Sequence, residues 1–219
     1  MSVRMRLLVI LAPALVFWSL PAVCAEQDLS VNARLLLAAR NGDAAGVDRA
    51  LKAGAAPNAR NRLGETALVI ALRRNDLALA TTMLEAGTDV NRAALNGVTP
   101  LMAAAYGGHT QMAAALLAKG ADVHALDRLK KNAMTYAAGE GHTEIVLMLI
   151  AKGVDPNAVY QNDLTALMWA AGFGKTGTVK ALLGAGARAD NKDNRGKTAL
   201  DMAREGGFAE TVAALEKRA

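Results

Sequence analysis

The sequence has one cysteine in 219 residues, and that one, Cys24, stands near the start. Serine is almost as rare. Beyond residue 25 only Ser30 remains, placed before the first helical stretch as a candidate N-cap. The carboxylates are scattered without inward pairing, so neither a Ser–His–Asp arrangement nor its cysteine analogue can be assembled, and the chain reads as a non-enzyme needing no cofactor. No Asn-x-Ser/Thr sequon occurs, and aromatic residues make up only 4%. What is abundant is alanine, within an apolar content of 53%. That excludes intrinsic disorder and suits short helices packed closely together.

The first 25 residues differ from the rest. Arg4 and Arg6 give a basic start, Leu7 to Trp18 carry no charge, and small residues follow at Val23 and Ala25. This is the three-part pattern of a secretory signal peptide over 1–25, with cleavage expected after Ala25 and a mature start at Glu26. The alternative, an uncleaved anchor, needs about 20 apolar residues, more than this run offers. Met5 separates the two arginines, so there is no twin-arginine pair. Cys24 also raises lipid attachment, against which the bulk of Val23 stands. Cleavage removes the only cysteine and both arginines, lowering the formal charge from +5 to +3. An exported chain without disulfides or sequons fits a bacterial periplasm, with secretion to the medium as the alternative. No later stretch is long and apolar enough to span a membrane.

From residue 30 onward the sequence repeats. The segments GETALVIAL, GVTPLMAAA, KKNAMTYAA, DLTALMWAA and GKTALDMAR begin at Gly64, Gly97, Lys130, Asp163 and Gly196, each 33 residues after the last. A second landmark keeps the same step, in Gly54, Gly87, Gly120, Gly153 and Gly186. Within a period, Thr99 is a candidate N-cap, Pro100 suits the first helical position, and Gly120 suits a helix end. Thr110 is a candidate cap for a second helix. Each unit therefore reads as link, helix, turn, helix, and a fixed period of this length marks a solenoid.

The residues Thr99-Pro100-Leu101, Gly108-His109, Leu116-Leu117 and Gly120-Ala121-Asp122 resemble the ankyrin repeat family. The resemblance covers roughly residues 30–219, within an expected ankyrin repeat domain at 26–219: an N-terminal partial unit at about 30–60, then repeats at about 61–93, 94–126, 127–159, 160–192 and 193–219. It implies an all-α solenoid of helix-turn-helix units. The family's Thr-Pro-Leu-His histidine is replaced by Val69, Met102, Thr135, Met168 and Asp201, and Lys130 and Asp163 replace the turn glycine. Glu216, Lys217 and Arg218 make the final helix polar at its outer end, as a terminal repeat requires.

The register also settles the string GFGKTG at 172–177. A dinucleotide or phosphate loop must follow a strand, whereas here the alanine-rich LTALMWAA precedes it, and Trp169 stands where a P-loop needs glycine. It is a turn between helices. His109 and His142 occupy equivalent turn positions. With no third ligand, and Lys175 next in the series, a structural bond to the neighbouring link is expected rather than a metal. Met102, Met134, Met148 and Met168 fall at core spacing, with Met102 and Met168 expected at the edge of the concave face.

In ankyrin proteins, the resemblance implies, partners meet the link tips and the first helix of each pair. The tips include Arg62, Leu63 and Glu65, then Arg128, Leu129 and Lys131, then Leu164 of the fourth. The first-helix positions include Arg73, Arg74, Tyr106 and Phe173. Tyr106 and Phe173 hold surface slots although aromatics are scarce, and aromatics with arginine dominate interface energetics. The first, third and fifth tips are basic, diluted by Asp127 and Asp193. The alternative is an ordinary solvated face. A modest positive charge without base-stacking aromatics argues against nucleic acid. The expected function is an exported module binding a partner protein, with an acidic patch, through its concave groove. An effector acting on host proteins, a protective factor for an exported oxidative-stress enzyme, and a toxin-immunity protein are the alternatives, since fold does not fix function.

Overall fold

The computed structural model describes residues 29–217; the expected leader, Cys24 and Arg218 lie outside them. Twelve α-helices follow in antiparallel pairs: α1 (Val31–Asn41) with α2 (Ala44–Lys52), α3 (Ala67–Arg73) with α4 (Leu77–Glu85), α5 (Pro100–Gly107) with α6 (Thr110–Ala118), α7 (Ala133–Glu140) with α8 (Thr143–Ala151), α9 (Ala166–Gly172) with α10 (Thr176–Gly184), and α11 (Ala199–Glu205) with α12 (Ala209–Glu216). Each first helix packs on its own second helix and on the first helices of neighbouring units, so the contacts run along the chain as in a solenoid.

The first helices start where the sequence caps them. Thr66, Thr99, Asn132, Thr165 and Thr198 accept the backbone N–H three residues on. Met102 and Met168 return the favour, their sulfurs lying 3.5 Å from the Thr99 and Thr165 amides. They are therefore buried at the helix base, not at the edge of the concave face. The second helix of the third pair starts differently from expectation. His109 takes the N-cap position and Thr110 is the first helical residue, because the histidine side chain turns away to the preceding unit. Its Nε2–H donates to the Leu72 carbonyl at 3.0 Å, and His142 donates to that of Tyr106 at 3.1 Å. Both bonds reach the end of the preceding first helix rather than a link.

Alanine makes the stack possible. Ala71, Ala104, Ala137, Ala170 and Ala203 recur on the first helices, each fully buried, and let successive helices approach closely. Leucines and methionines fill the seam behind them, among them Leu68, Leu101, Met134 and Leu167. Just past the end of α6, Gly120 takes a φ of +82° that suits glycine, with its N–H on the Leu117 carbonyl and the Ala121 N–H on that of Leu116.

The links fold into tight tips. Asn61, Asp127 and Asp193 each accept two backbone amides of their own tip, such as Leu129 N–H and Lys131 N–H on Asp127 Oδ1, both at 2.8 Å. Neighbouring tips are tied by Leu95 N–H to Leu63 O, Arg128 N–H to Asn96 O and Asn194 N–H to Asn162 O. Between the third and fourth tips no such bond forms among the described residues. No helix among them is long and apolar enough to cross a membrane.

Candidate functional site

The concave face is built from the tip residue before each first helix and from that helix's exposed side. Four of the six aromatic residues between 29 and 217 lie on it. Tyr106, 59% exposed, meets Tyr136 edge to face at 5.9 Å between centroids. Trp169 stacks on Phe173, 55% exposed, at 6.0 Å and 10°. Lys131 joins the two pairs. Its Nζ lies 4.4 Å from the Trp169 ring centroid and 5.6 Å from that of Tyr136. The result is one continuous row, Tyr106–Tyr136–Lys131–Trp169–Phe173, across three units.

Tyr136 is fixed in that row. Its hydroxyl donates to the Asp127 carboxylate at 2.6 Å. Burial, and then this bond, push the phenol well above its ordinary range, so it remains a donor across the physiological range. Gly139 lies beneath the stacked pair: a Cβ there would sit in ordinary van der Waals contact, 3.7 Å from both Trp169 and Phe173.

An open cavity of about 620 Å³ adjoins the row between α3 and α5. Leu72, Val98 and Met102 line its floor, Tyr106 and Tyr136 one wall, and Arg73 the other. It exists because Ala103 and Gly107 stand where the next unit has Tyr136 and Glu140.

The residues expected at the site divide into two groups. Tyr106, Lys131 and Phe173 come together, and Arg73 faces them across the cavity, paired with Glu65. Arg62, Arg128 and Leu129 remain exposed on the tips, outside the row. Arg74 leans away toward the first unit, where a Cβ at Gly42 would lie 3.1 Å from its guanidinium. Leu164 is half-buried against the core. Glu65, expected at a tip surface, is buried, held by Asn61 Nδ2 at 2.9 Å as well as by Arg73. The basic tips also change meaning. Arg60 donates to the Gly64 and Ala93 carbonyls, Arg195 pairs with Asp193 and Lys197 with Glu205. On the third tip Arg128, Lys130 and Lys131 have no carboxylate partner among the described residues, and of these only Lys131 lies over aromatic rings.

Tyr136 and Trp169 were missed at the sequence level. The signal that finds them is the register: they occupy the same helix position as Ala103, about one turn before the positions of Tyr106 and Phe173. His124 is exposed in its link. Among the described residues no cluster of three or more metal-ligating side chains forms.

Between them the caps, the step of 33 residues, the stacked helix pairs and the concave face describe one architecture. The family model for ankyrin repeats (3 copies) matches residues 35–127, 78–160 and 134–218. No curated protein matches the chain. Such repeats serve as protein–protein interaction modules and are generally not enzymes. This chain belongs to the ankyrin repeat family.

Proposed function

We propose that the chain is an exported module that binds one partner protein, bearing an acidic patch, through the middle of its concave face. The observation that carries this is the aromatic row. In a chain so poor in aromatics, four of them are gathered on one exposed face around an unpaired lysine. Preorganised aromatics beside a cation are the makings of an interface centre. A rigid stack also loses little entropy when it binds. The periplasmic destination rests on the basic, apolar and small-residue pattern of residues 1–25.

Two measurements test the two halves of the proposal. Fractionation with intact-mass analysis should find the chain in the periplasm, starting at Glu26; a mass that retains Leu7–Leu20 refutes cleavage. Capture from periplasmic extract, with mass-spectrometric identification, should recover one protein on the wild type. The Tyr106→Ala/Phe173→Ala variant should lose it while keeping the helical circular dichroism. Recovery of the same protein in equal yield moves the site off this face.

A further inference from the structure

Resting on that reading of the concave face, we infer that the partner presents an extended segment in which a large apolar side chain and a carboxylate stand about three residues apart. The apolar side chain enters the cavity over Ala103 and Gly107, and the carboxylate meets Lys131.

The cavity is suited to a side chain of a protein rather than to a free small molecule. A small ligand needs convergent polar groups to orient it. Here the charged side chains, the histidine ring and the Tyr136 hydroxyl are already engaged. Glu65 and Arg73 pair with each other, His109 Nε2 bonds the Leu72 carbonyl, and the Tyr136 hydroxyl bonds Asp127. What remains open is half-buried Val98, the rings of the two tyrosines and the rim amides of Asn75 and Asn96, above a floor closed by buried Leu72 and Met102. The apolar part of that surface rewards insertion of an apolar group.

Lys131 supplies the second requirement. The residues at its register position in the first and last repeats, Glu65 and Lys197, are each neutralised by an internal partner. Lys131 has only ring faces, and forms no ion pair among the described residues. Cation–π contact holds the ammonium in place but leaves its charge unopposed. A carboxylate from outside completes it, and an aromatic-lined setting strengthens that pair relative to open water.

Tyr136 fixes the spacing, because its ring is at once a wall of the cavity and a seat for Lys131. The cavity and the lysine are thus one first-helix step apart, roughly 8–10 Å. An extended strand advances about 3.3 Å per residue, which gives about three residues between the two groups.

Selection of a random-peptide display library on the immobilised full chain tests this, run in parallel on Lys131→Met and Ala103→Phe. The phenylalanine copies the aromatics that the third and fourth repeats hold at the same position, Tyr136 and Trp169, and circular dichroism checks both folds. Should Ala103→Phe fail to fold, Tyr106→Ala removes the cavity wall instead. The wild type should enrich Asp or Glu about three residues from a leucine or aromatic. Lys131→Met should lose the acidic preference and keep the apolar one, and Ala103→Phe the reverse. Affinity of a selected soluble peptide should fall about tenfold on each variant. Peptides without acidic enrichment, acidic enrichment that survives Lys131→Met, a spacing of seven that denotes a helix, or no enrichment at all overturns the inference. Non-acidic peptides that nonetheless need Tyr106 and Phe173 leave the concave-face reading standing while removing this one. Acidic peptides indifferent to Tyr106→Ala/Phe173→Ala remove both.

Discussion

The middle of the concave face and its two ends are built on the same register and carry opposite chemistry. At two positions eight residues apart, the first repeat has Glu65 with Arg73 and the last has Lys197 with Glu205, each forming an ion pair. Between them the same positions hold Val98 with Tyr106, Lys131 with Gly139, and Leu164 with Gly172. The ends satisfy their own charges: Glu65 is buried under its Arg73 partner, while Lys197–Glu205 is a largely exposed pair of the kind that contributes little stability, about 0–1 kcal/mol. The middle leaves a cation on aromatic rings and an apolar cavity open. A scaffold that repeats its backbone can thus confine recognition to a few units by changing two side chains per unit. The connections differ in the same way. Tip-to-tip backbone bonds join the other neighbours, whereas the third and fourth tips are joined by side chains, Asn132 Nδ2 to the Tyr160 hydroxyl at 3.1 Å and Lys131 over Trp169.

The largest contrast is expected in the core. Leu101 is buried between two neighbouring units, whereas Leu200, at the same position of the last repeat, is only partly covered. Leu101→Ala should cost about 2–5 kcal/mol, as a fully buried large-to-small change does. Leu200→Ala should cost less than half as much, since one neighbour is missing. Urea unfolding of the two variants measures both. Equal losses, or a Leu101 loss well under about 1 kcal/mol, would mean that the stack does not bury its middle more than its end.

The second test moves the end chemistry into the middle. Val98→Glu with Tyr106→Arg installs the Glu65–Arg73 pair one repeat on, at positions the backbone already uses for it. The Asn61 amide that also holds Glu65 has Ala94 at its register position, so circular dichroism should first confirm the fold of the variant. Binding of the captured partner should weaken by at least about 2 kcal/mol, the scale of a lost anchor. Calorimetric titration decides it. Undiminished affinity would show that the aromatic row is not what distinguishes the middle.

How much of this was legible without the structure follows from what kind of fact each feature is. The unit, its helices and its turns are local: Thr99 caps, Pro100 starts and Gly120 ends a helix by their own conformational preferences. Burial of Leu101 follows from periodicity. Tyr106 and Phe173 were visible because the register put them on exposed slots. Their partners were not, because whether Tyr136 faces the core or the groove depends on the hydroxyl's bond to Asp127 across the tip. Lys131 read as one of several basic tip residues. What sets it apart appears only once its ammonium is seen over the Tyr136 and Trp169 rings while Arg195 and Lys197 pair with carboxylates. Met102 and Met168 looked like groove edges because the family's semi-exposed histidine stands there. A thioether makes a closer apolar plug and turns inward.

Acid should separate the ends from each other. The described carboxylates held below their ordinary range, Asp190, Asp193 and Asp201, all belong to the C-terminal end. For Asp201 the causes are the Thr198 amide and then its hydroxyl. For Asp193, burial pushes the other way and is outweighed by the amides of Lys197 and Arg195 and by the Arg195 side chain. A carboxyl depressed in the folded state stabilises it above the unfolded-state value, and that contribution disappears as pH falls through the folded value. Lowering the pH from about 5 toward 3, across the ordinary carboxyl range, should therefore release the amides of α11 and α12 first. Hydrogen exchange followed by pH reads the order. Simultaneous release of α1 or α5 would contradict it.

The smallest effect concerns the backbone of the tips. The residue ending each tip has positive φ in all five repeats. It is glycine in the first, second and fifth, at Gly64, Gly97 and Gly196, but Lys130 at +56° and Asp163 at +58° in the third and fourth. For an L-residue other than Gly, Asn or Asp this conformation costs roughly 1–2 kcal/mol. Asp163 relieves part of that through its short polar side chain, so Lys130 is the more strained of the two. Replacing it by glycine removes the steric cost and adds unfolded-chain entropy of about 0.4–1 kcal/mol, in the opposite direction. Lys130→Gly should therefore stabilise the protein by only about 0.5–1 kcal/mol. Gly196→Lys should destabilise it by a similar amount, because the same trade is run in reverse. Thermal and urea unfolding of the pair give the signs. The Lys130 ammonium lies outside the aromatic row, so partner affinity should not change with Lys130→Gly beyond its salt dependence. A loss of stability in Lys130→Gly would mean that the lysine side chain contributes to the fold. A large loss of affinity would mean that the third tip's shape, and not only Lys131, belongs to the interface.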